Sequence, residues 1–209
     1  MESCNLYLTL YNIRVWEIMK CFEEELAMSN IIILTANEPA DSGCAQLAQW
    51  VRQGVLEAGN QVQIVDVAGL EIKGCEGGDG CECCWLDGTP CVQRDSMDDL
   101  WDALEHADGI AICSPLYTGG LSTGIINLID RLHPYLKRDA PKKLTIQRSA
   151  LLLLDMQGTA TARKAQSFYE DVVMYMRWKN CGQLLVQGQA LHRSPKDWED
   201  KIVSLGKSL

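Results

Sequence analysis

GIAICSPLYTGGLSTGIINLIDRL, residues 109–132, decides the fold. Gly109 to Cys113 is a short apolar run of the buried-strand type, SPLYTGG is a turn-rich loop, and Leu121 to Leu132 carries apolar residues at helical spacing up to Asp130-Arg131. A strand with no polar alternation must be covered on both faces, and strands of that kind belong to parallel sheets. The unit is therefore strand, loop and helix, with the helix returning over the sheet.

The same unit recurs on either side. Upstream, Ile31 to Leu34 is a strand, TANEPADSGC (35–44) a loop, and Ala45 through Leu56 a helix that stops at Gly59-Asn60. Val62, Ile64, Val65 and Val67 make a second strand, followed by a cysteine-rich loop and a helix from about Asp95 or Ser96 through Leu104. Downstream, Ala150 to Asp155 is a fourth strand ending at Met156-Gln157-Gly158-Thr159 and leading into a helix that runs to about Trp178. Gly182 to Gly188 is a fifth strand and Pro195 to Leu205 a last helix. This alternation predicts an α/β fold: a doubly wound, five-stranded parallel sheet of flavodoxin-like order 2-1-3-4-5 with helices on both faces. One domain is expected over residues 29–209, with the cysteine-rich loop at 74–92. Residues 1–28 read as an N-terminal extension, helical or mobile, and Met28 is an alternative start.

Composition narrows the function. The chain has 209 residues, 47% of them hydrophobic and 22% charged, enough to bury one core. A formal charge of −9 argues against a nucleic-acid surface. The apolar runs are too short to span a bilayer, and no secretory leader is legible, so a cytoplasmic protein without a membrane or nucleic-acid partner is expected.

Ligands of such sheets bind outside the carboxyl ends of the strands. Three loops qualify. In the first, Thr35, Asn37, Ser42, Gly43 and Cys44 offer hydroxyls and helix-start N–H groups suited to a phosphate, although Asp41 or Ser42 serving only as a helix cap explains the same residues. In the second, Pro115, Leu116, Tyr117, Thr118 and Gly119 combine a stiff strand exit, an aromatic face and a permissive turn. Met156, Gln157 and Gly158 form the third. Together they suit a flat, phosphorylated aromatic ligand.

Five of the ten cysteines fall between Cys75 and Cys91, in GCEGGDGCECCWLDGTPC, residues 74–91, between the second strand and the next helix and so beside the proposed pocket. Thiolates this dense call for a cluster, a metal ion or disulfides, and a reducing cytosol disfavours a disulfide framework. Iron–sulfur, zinc and a metal-free loop with a Cys83-Cys84 vicinal disulfide or free thiols all fit. Cys113 reads as core. His106, His133 and His192 are dispersed beside helix ends and read as surface or capping residues, and Trp50, Trp101, Trp178 and Trp198 as helix faces packed on the sheet.

HADGIAICSPLYTGGLSTGIINLIDRL, residues 106–132, resembles the middle segment of the NADPH-dependent FMN reductases and iron–sulfur flavoproteins. Asp108, Ser114, Pro115, Tyr117, Gly119, Asp130 and Arg131 carry the match, with the cysteine run leading into Met97-Asp98-Asp99. The resemblance covers about residues 29–190. It implies an FMN-dependent oxidoreductase with NAD(P)H as donor, the three loops holding FMN, and a small molecule or small redox protein as electron partner. It also implies a homo-oligomer in which the cysteine loop lies near a neighbour's flavin. Alignment on Trp85 puts Cys81, Cys84 and Cys91 at ligand positions of a 4Fe–4S cluster. The expected remaining ligand falls on Gly78, so Cys75 completes the set, with Cys83 as the alternative.

Two departures stand out. The first loop reads Thr35-Ala36-Asn37-Glu38-Pro39, without the arginine that usually meets the phosphate, and Glu38 opposes a phosphate by about 1 kcal/mol at partly solvated distances. Ile125-Ile126-Asn127 stands where a lysine is common. The alternative function is accordingly a flavodoxin-fold protein that has lost FMN and acts as a metal-binding or partner-docking module through its cysteine loop.

Overall fold

A computed structural model describes residues 28–36, 43–77, 83–118, 120–156 and 161–209. Strand β1 (Asn30–Thr35) leads to helix α1 (Gly43–Glu57), β2 (Gln61–Asp66), a 3₁₀ turn at Val67–Gly69, a second at Ser96–Asp99, and α2 (Trp101–Glu105). β3 (Gly109–Pro115), α3 (Thr123–Asp130), a 3₁₀ turn at His133–Leu136, β4 (Arg148–Asp155), α4 (Ala162–Met176) and β5 (Lys179–Gln187) follow, and α5 (Gly188–Arg193) and α6 (Pro195–Lys207) close the chain. The sheet has order β2-β1-β3-β4-β5, and all its pairings are parallel.

Side chains alternate across the strands to build two cores. Ile32, Leu34, Ile110, Ile112, Leu151 and Leu153 meet α2, α3 and α4 on one face. On the other, Ile31, Ile33, Ala111, Cys113, Ala150 and Leu152 meet α1 and α6. Each fully buried aliphatic side chain contributes about 1.5–3 kcal/mol, which is why the strands read as unbroken apolar runs. On the second face α1 and α6 cross closely: a Cβ on Gly54 would lie 2.1 Å from the Val203 carbonyl oxygen, and one on Gly206 2.4 Å from that of Val51.

Boundaries move where capping chemistry intervenes. The helix expected from Asp95 to Leu104 is split, because the Asp95 carboxylate accepts from the Met97 N–H and starts a 3₁₀ turn, and α2 begins only at Trp101. The helix expected to reach Leu132 ends at Asp130, and Pro134 lies in the first turn of the separate 3₁₀ segment that follows. The strand expected at Gly182–Gly188 starts at Lys179 and stops at Gln187, where Gly188 opens α5, a short helix that apolar periodicity did not indicate. Residues 1–27 lie outside the described residues.

Candidate functional site

Three described segments meet at the carboxyl edge of the sheet. Leu116 N–H donates to the Leu154 carbonyl (2.9 Å), so the chain leaving β3 stays pinned beside β4. Tyr117 and Gly120 then exchange backbone hydrogen bonds of 2.9 and 3.0 Å, closing a four-residue turn. Gly120 holds φ +122°, a conformation L side chains rarely adopt, and packs against Ala165 of α4. Ser114 is buried; its Oγ donates to the Pro115 carbonyl and accepts from Ser122 N–H (3.0 Å), and Ser122 caps α3. The Ser-Pro pair thereby fixes the turn that carries Tyr117.

Two side chains stand out from this rigid edge. Tyr117 is 56% exposed and Met156, at the end of adjacent β4, 63% exposed. The Met156 sulfur lies against Gly188 at the start of α5, and the uncovered Tyr117 offers an aromatic face to a flat ring. Pro115 and Leu116 are half-buried and Thr118 is exposed. Gly43 opens α1 at the same edge, and a Cβ there would meet the Leu154 Cδ2 methyl at 2.7 Å, so the helix start lies close against the end of β4. The N–H groups of that first turn carry the partial positive charge that holds a phosphate.

Thr35 and Cys44 take narrower roles than their residue types suggest. Thr35 is fully buried at the end of β1. Cys44 is 1% exposed, and burial, with Asp66 nearby, pushes its thiol up to about 12; only its backbone can face a ligand. Cys113 lies beside it, its thiol pushed well above the ordinary value by complete burial and by Cys44, and is the core residue expected. These described residues fit FMN at the level of ring face and helix start. Asn37, Ser42, Gly119, Gln157 and Gly158 lie outside the described residues.

The cysteine loop is anchored elsewhere. Beyond β2 the chain runs alongside α3: a Cβ on Gly124 would lie 3.1 Å from the Val67 carbonyl, Asn127 Nδ2 donates to Ile72 O (2.8 Å), and Arg131 Nη1 to Lys73 O (3.0 Å). A Cβ on Gly74 would lie 3.4 Å from Asn127 Oδ1, so the base of the loop rests on the middle and end of the eight-residue α3. Gln93 bonds Gly74 O (3.2 Å), and Asp95 accepts from Lys73 N–H (3.0 Å), which closes the base. Trp85, with φ +65°, donates its indole N–H to Pro134 O (3.1 Å) and meets Tyr135 edge-on, ring centroids 5.3 Å apart.

Within this loop Cys75 is exposed, Cys83 and Cys84 are half-buried, and Cys91 is buried. Among the described residues no three Cys, His, Asp or Glu side chains are arranged to hold a metal ion. Cys81 lies outside them.

Sequence reasoning missed the residues that hold the loop, chiefly Arg131 and Asn127. Asp108, read as part of the motif, works at the opposite edge of the sheet: its carboxylate accepts from Asn30 N–H (2.8 Å) and its carbonyl from Gln147 N–H (2.9 Å). The histidines are exposed, as expected.

A doubly wound parallel sheet with an aromatic turn and a helix start converging at its carboxyl edge defines a flavodoxin-like α/β protein. A family model for NADPH-dependent FMN reductase matches residues 29–186, and the chain belongs to that family. It is similar to an iron-sulfur flavoprotein of Archaeoglobus fulgidus, 33% identical over 85 residues, which are 41% of this chain and 40% of that protein. An iron-sulfur flavoprotein of Methanocaldococcus jannaschii is 27% identical over 104 residues, 50% of this chain and 52% of that one. The chain spans about half the length, or less, of the curated relatives it matches. Among solved structures, the NAD(P)H:quinone oxidoreductase of Methanothermobacter marburgensis superposes with TM-score 0.66 at 17% identity, covering 87% of this chain and 96% of that one. An azoreductase of Bacillus anthracis gives TM-score 0.63 at 13% identity, covering 87% and 100%. These two share the fold.

Proposed function

We propose that the protein is an FMN-dependent oxidoreductase that takes electrons from NAD(P)H and passes them to a small-molecule or small redox-protein acceptor. The observation that carries this reading is the exposed Tyr117, held on a turn tied to β4 and α3 at the same carboxyl edge of the sheet as Met156 and the start of α1. Family membership supports it. When bound, FMN supplies hydride and one-electron chemistry, and the protein supplies orientation and electrostatics. Tyr117 would cover a ring face, Pro115, Leu116, Thr118 and Gly119 its edge, and Met156, Gln157 and Gly158 the far side. Thr35, Asn37, Ser42, Gly43 and Cys44 would surround the phosphate, with backbone N–H groups standing in for the absent arginine.

The cysteine loop is proposed as a second redox element. The names of the curated relatives and the cysteine count support a 4Fe–4S cluster on Cys81, Cys84, Cys91 and either Cys75 or Cys83. The resemblance to the iron–sulfur flavoproteins supports a homo-oligomer in which the loop serves a neighbouring copy. The alternative module without FMN is not favoured. Anaerobic purification tests both parts: FMN uptake at micromolar concentration and stoichiometric iron and sulfide are expected. Failure to take up FMN would sink the first part, and zinc or no metal the second.

A further inference from the structure

We infer that Arg131 and Trp101 are the hydrogen-bond donors held for the sulfur atoms of the cluster on the cysteine loop, and that they raise its reduction potential. The inference rests on the iron–sulfur reading of the loop and adds to it two residues that carry no thiol.

Two buried N–H groups beneath the loop, Arg131 Nε and Trp101 Nε1, have no acceptor among the described residues. The residues are 1% and 7% exposed, so bulk solvent does not serve them. They are neighbours, with the guanidinium 5.9 Å from the indole centroid. A buried donor left unpaired costs about 1–3 kcal/mol, and buried polar groups in folded proteins nearly always have a partner. Two at one place call for an acceptor.

Their position says which one. The other nitrogens of Arg131 are engaged at the neck of the loop: Nη1 donates to Lys73 O and Asp95, and Nη2 to Gln93 O. Lys73 and Gln93 each stand two residues from a cysteine, Cys75 and Cys91, so the guanidinium lies between the two arms of chain that carry them. Gln93 Nε2 ties these arms together at Gly74 O. Cys91 and Trp101 belong to one buried cluster, and Trp85 of the loop packs against it. The aliphatic side chains of that cluster offer no acceptor, whereas thiolate and sulfide sulfurs accept N–H bonds. Such bonds favour the more negative, reduced state of a cluster, so the two donors raise its potential.

The test uses the full chain purified without oxygen, as wild type, as Trp101→Phe, which keeps an aromatic ring and removes the N–H, and as Arg131→Lys, which keeps the charge facing Asp95 and removes Nε. Iron and sulfide are assayed, folding is checked by circular dichroism, and the midpoint is read from a reductive titration followed by electron paramagnetic resonance. Each variant should hold the wild-type content of iron and sulfide. At the wild-type midpoint, its ratio of oxidised to reduced cluster should rise from one to roughly three or more, the factor that losing one net hydrogen bond gives. An unshifted midpoint in Trp101→Phe would overturn the donor assignment, with a buried water as the acceptor, and loss of its iron would overturn it in favour of a packing role. Either result leaves the cluster reading standing. If Arg131→Lys loses iron, the loop anchor has failed and Trp101→Phe alone decides. A wild type without iron and sulfide would overturn both readings.

Discussion

Arg131 Nη1 lies 2.7 Å from Asp95 Oδ2, and the two side chains are each 1% exposed. The pair joins the residue that caps α3 to the base of the cysteine loop. Arg131 also donates to Lys73 O and Gln93 O, and its guanidinium lies 5.9 Å from the centroid of Trp101, while its Nε has no hydrogen-bond partner among the described residues. Removing one partner strands a buried charge, at a cost of about 3–5 kcal/mol. Arg131→Met should therefore lower stability to urea by about that amount and expose the segment between Lys73 and Asp95 to limited proteolysis before the sheet unfolds.

The same pair gives a pH dependence. Burial pushes the Asp95 carboxyl up, but hydrogen bonds from Arg131 and from the N–H groups of Met97 and Lys73 outweigh it and hold it below its ordinary value of 3.8. A carboxyl held lower in the folded than in the unfolded chain adds stability above the unfolded value and loses it as pH falls through the folded one. Melting temperature should thus decline below about pH 4. Asp95→Asn should be less stable at neutral pH and lose less on acidification, as thermal melts from pH 7 to pH 3 would register.

Thiol chemistry should sort by burial. Cys75 is exposed, whereas Cys44, Cys91 and Cys113 are buried, and burial holds the thiols of Cys44 and Cys113 protonated. On protein stripped of metal, iodoacetamide at pH 8, followed by peptide mass mapping, should label Cys75 within minutes while Cys44 and Cys113 stay unmodified until denaturant is added. Early labelling of Cys44 would refute its assignment to the core.

The close crossing of α1 and α6 predicts strong sensitivity at two glycines. A methyl group on Gly206 has backbone, not a flexible side chain, in its way. Gly206→Ala should destabilise by about 1–3 kcal/mol, and Gly54→Val by more, with little effect on the distant carboxyl edge. Urea denaturation and FMN affinity measured on the same samples would separate the two effects.

Much of this architecture is legible in the chain. Ile31 to Leu34, Gly109 to Cys113 and Ala150 to Asp155 announce themselves because strands buried on both faces have no polar positions. The short pieces are less visible: the Asp95 cap and Pro134 act through single hydrogen bonds or one ring, which periodicity averages away. At the site, Tyr117 and the Ser-Pro exit are readable as residue types. The Arg131 anchor is not, because Asp130-Arg131 at a helix end looks like ordinary solvated charge until the fold lays residues 67–73 against α3. Cys44 shows the converse limit, since a loop thiol and a core thiol are spelled alike.

Tyr117 should contribute ring contact and little else. Truncation in Tyr117→Ala removes an aromatic contact of about 0.5–1.5 kcal/mol, so FMN should bind roughly two- to twelvefold more weakly with stability unchanged. Fluorescence titration of FMN against the wild type and the variant reads this directly.

The most direct test of an FMN-dependent, NAD(P)H-using oxidoreductase is the anaerobic addition of NADPH or NADH to the FMN-loaded protein, followed by absorption near ~450 nm, where oxidised flavin absorbs. The account predicts that the band bleaches with one equivalent of nicotinamide per flavin and returns when an acceptor is added. A protein that binds no FMN, or whose bound FMN keeps its band in excess NADPH and NADH, would contradict it.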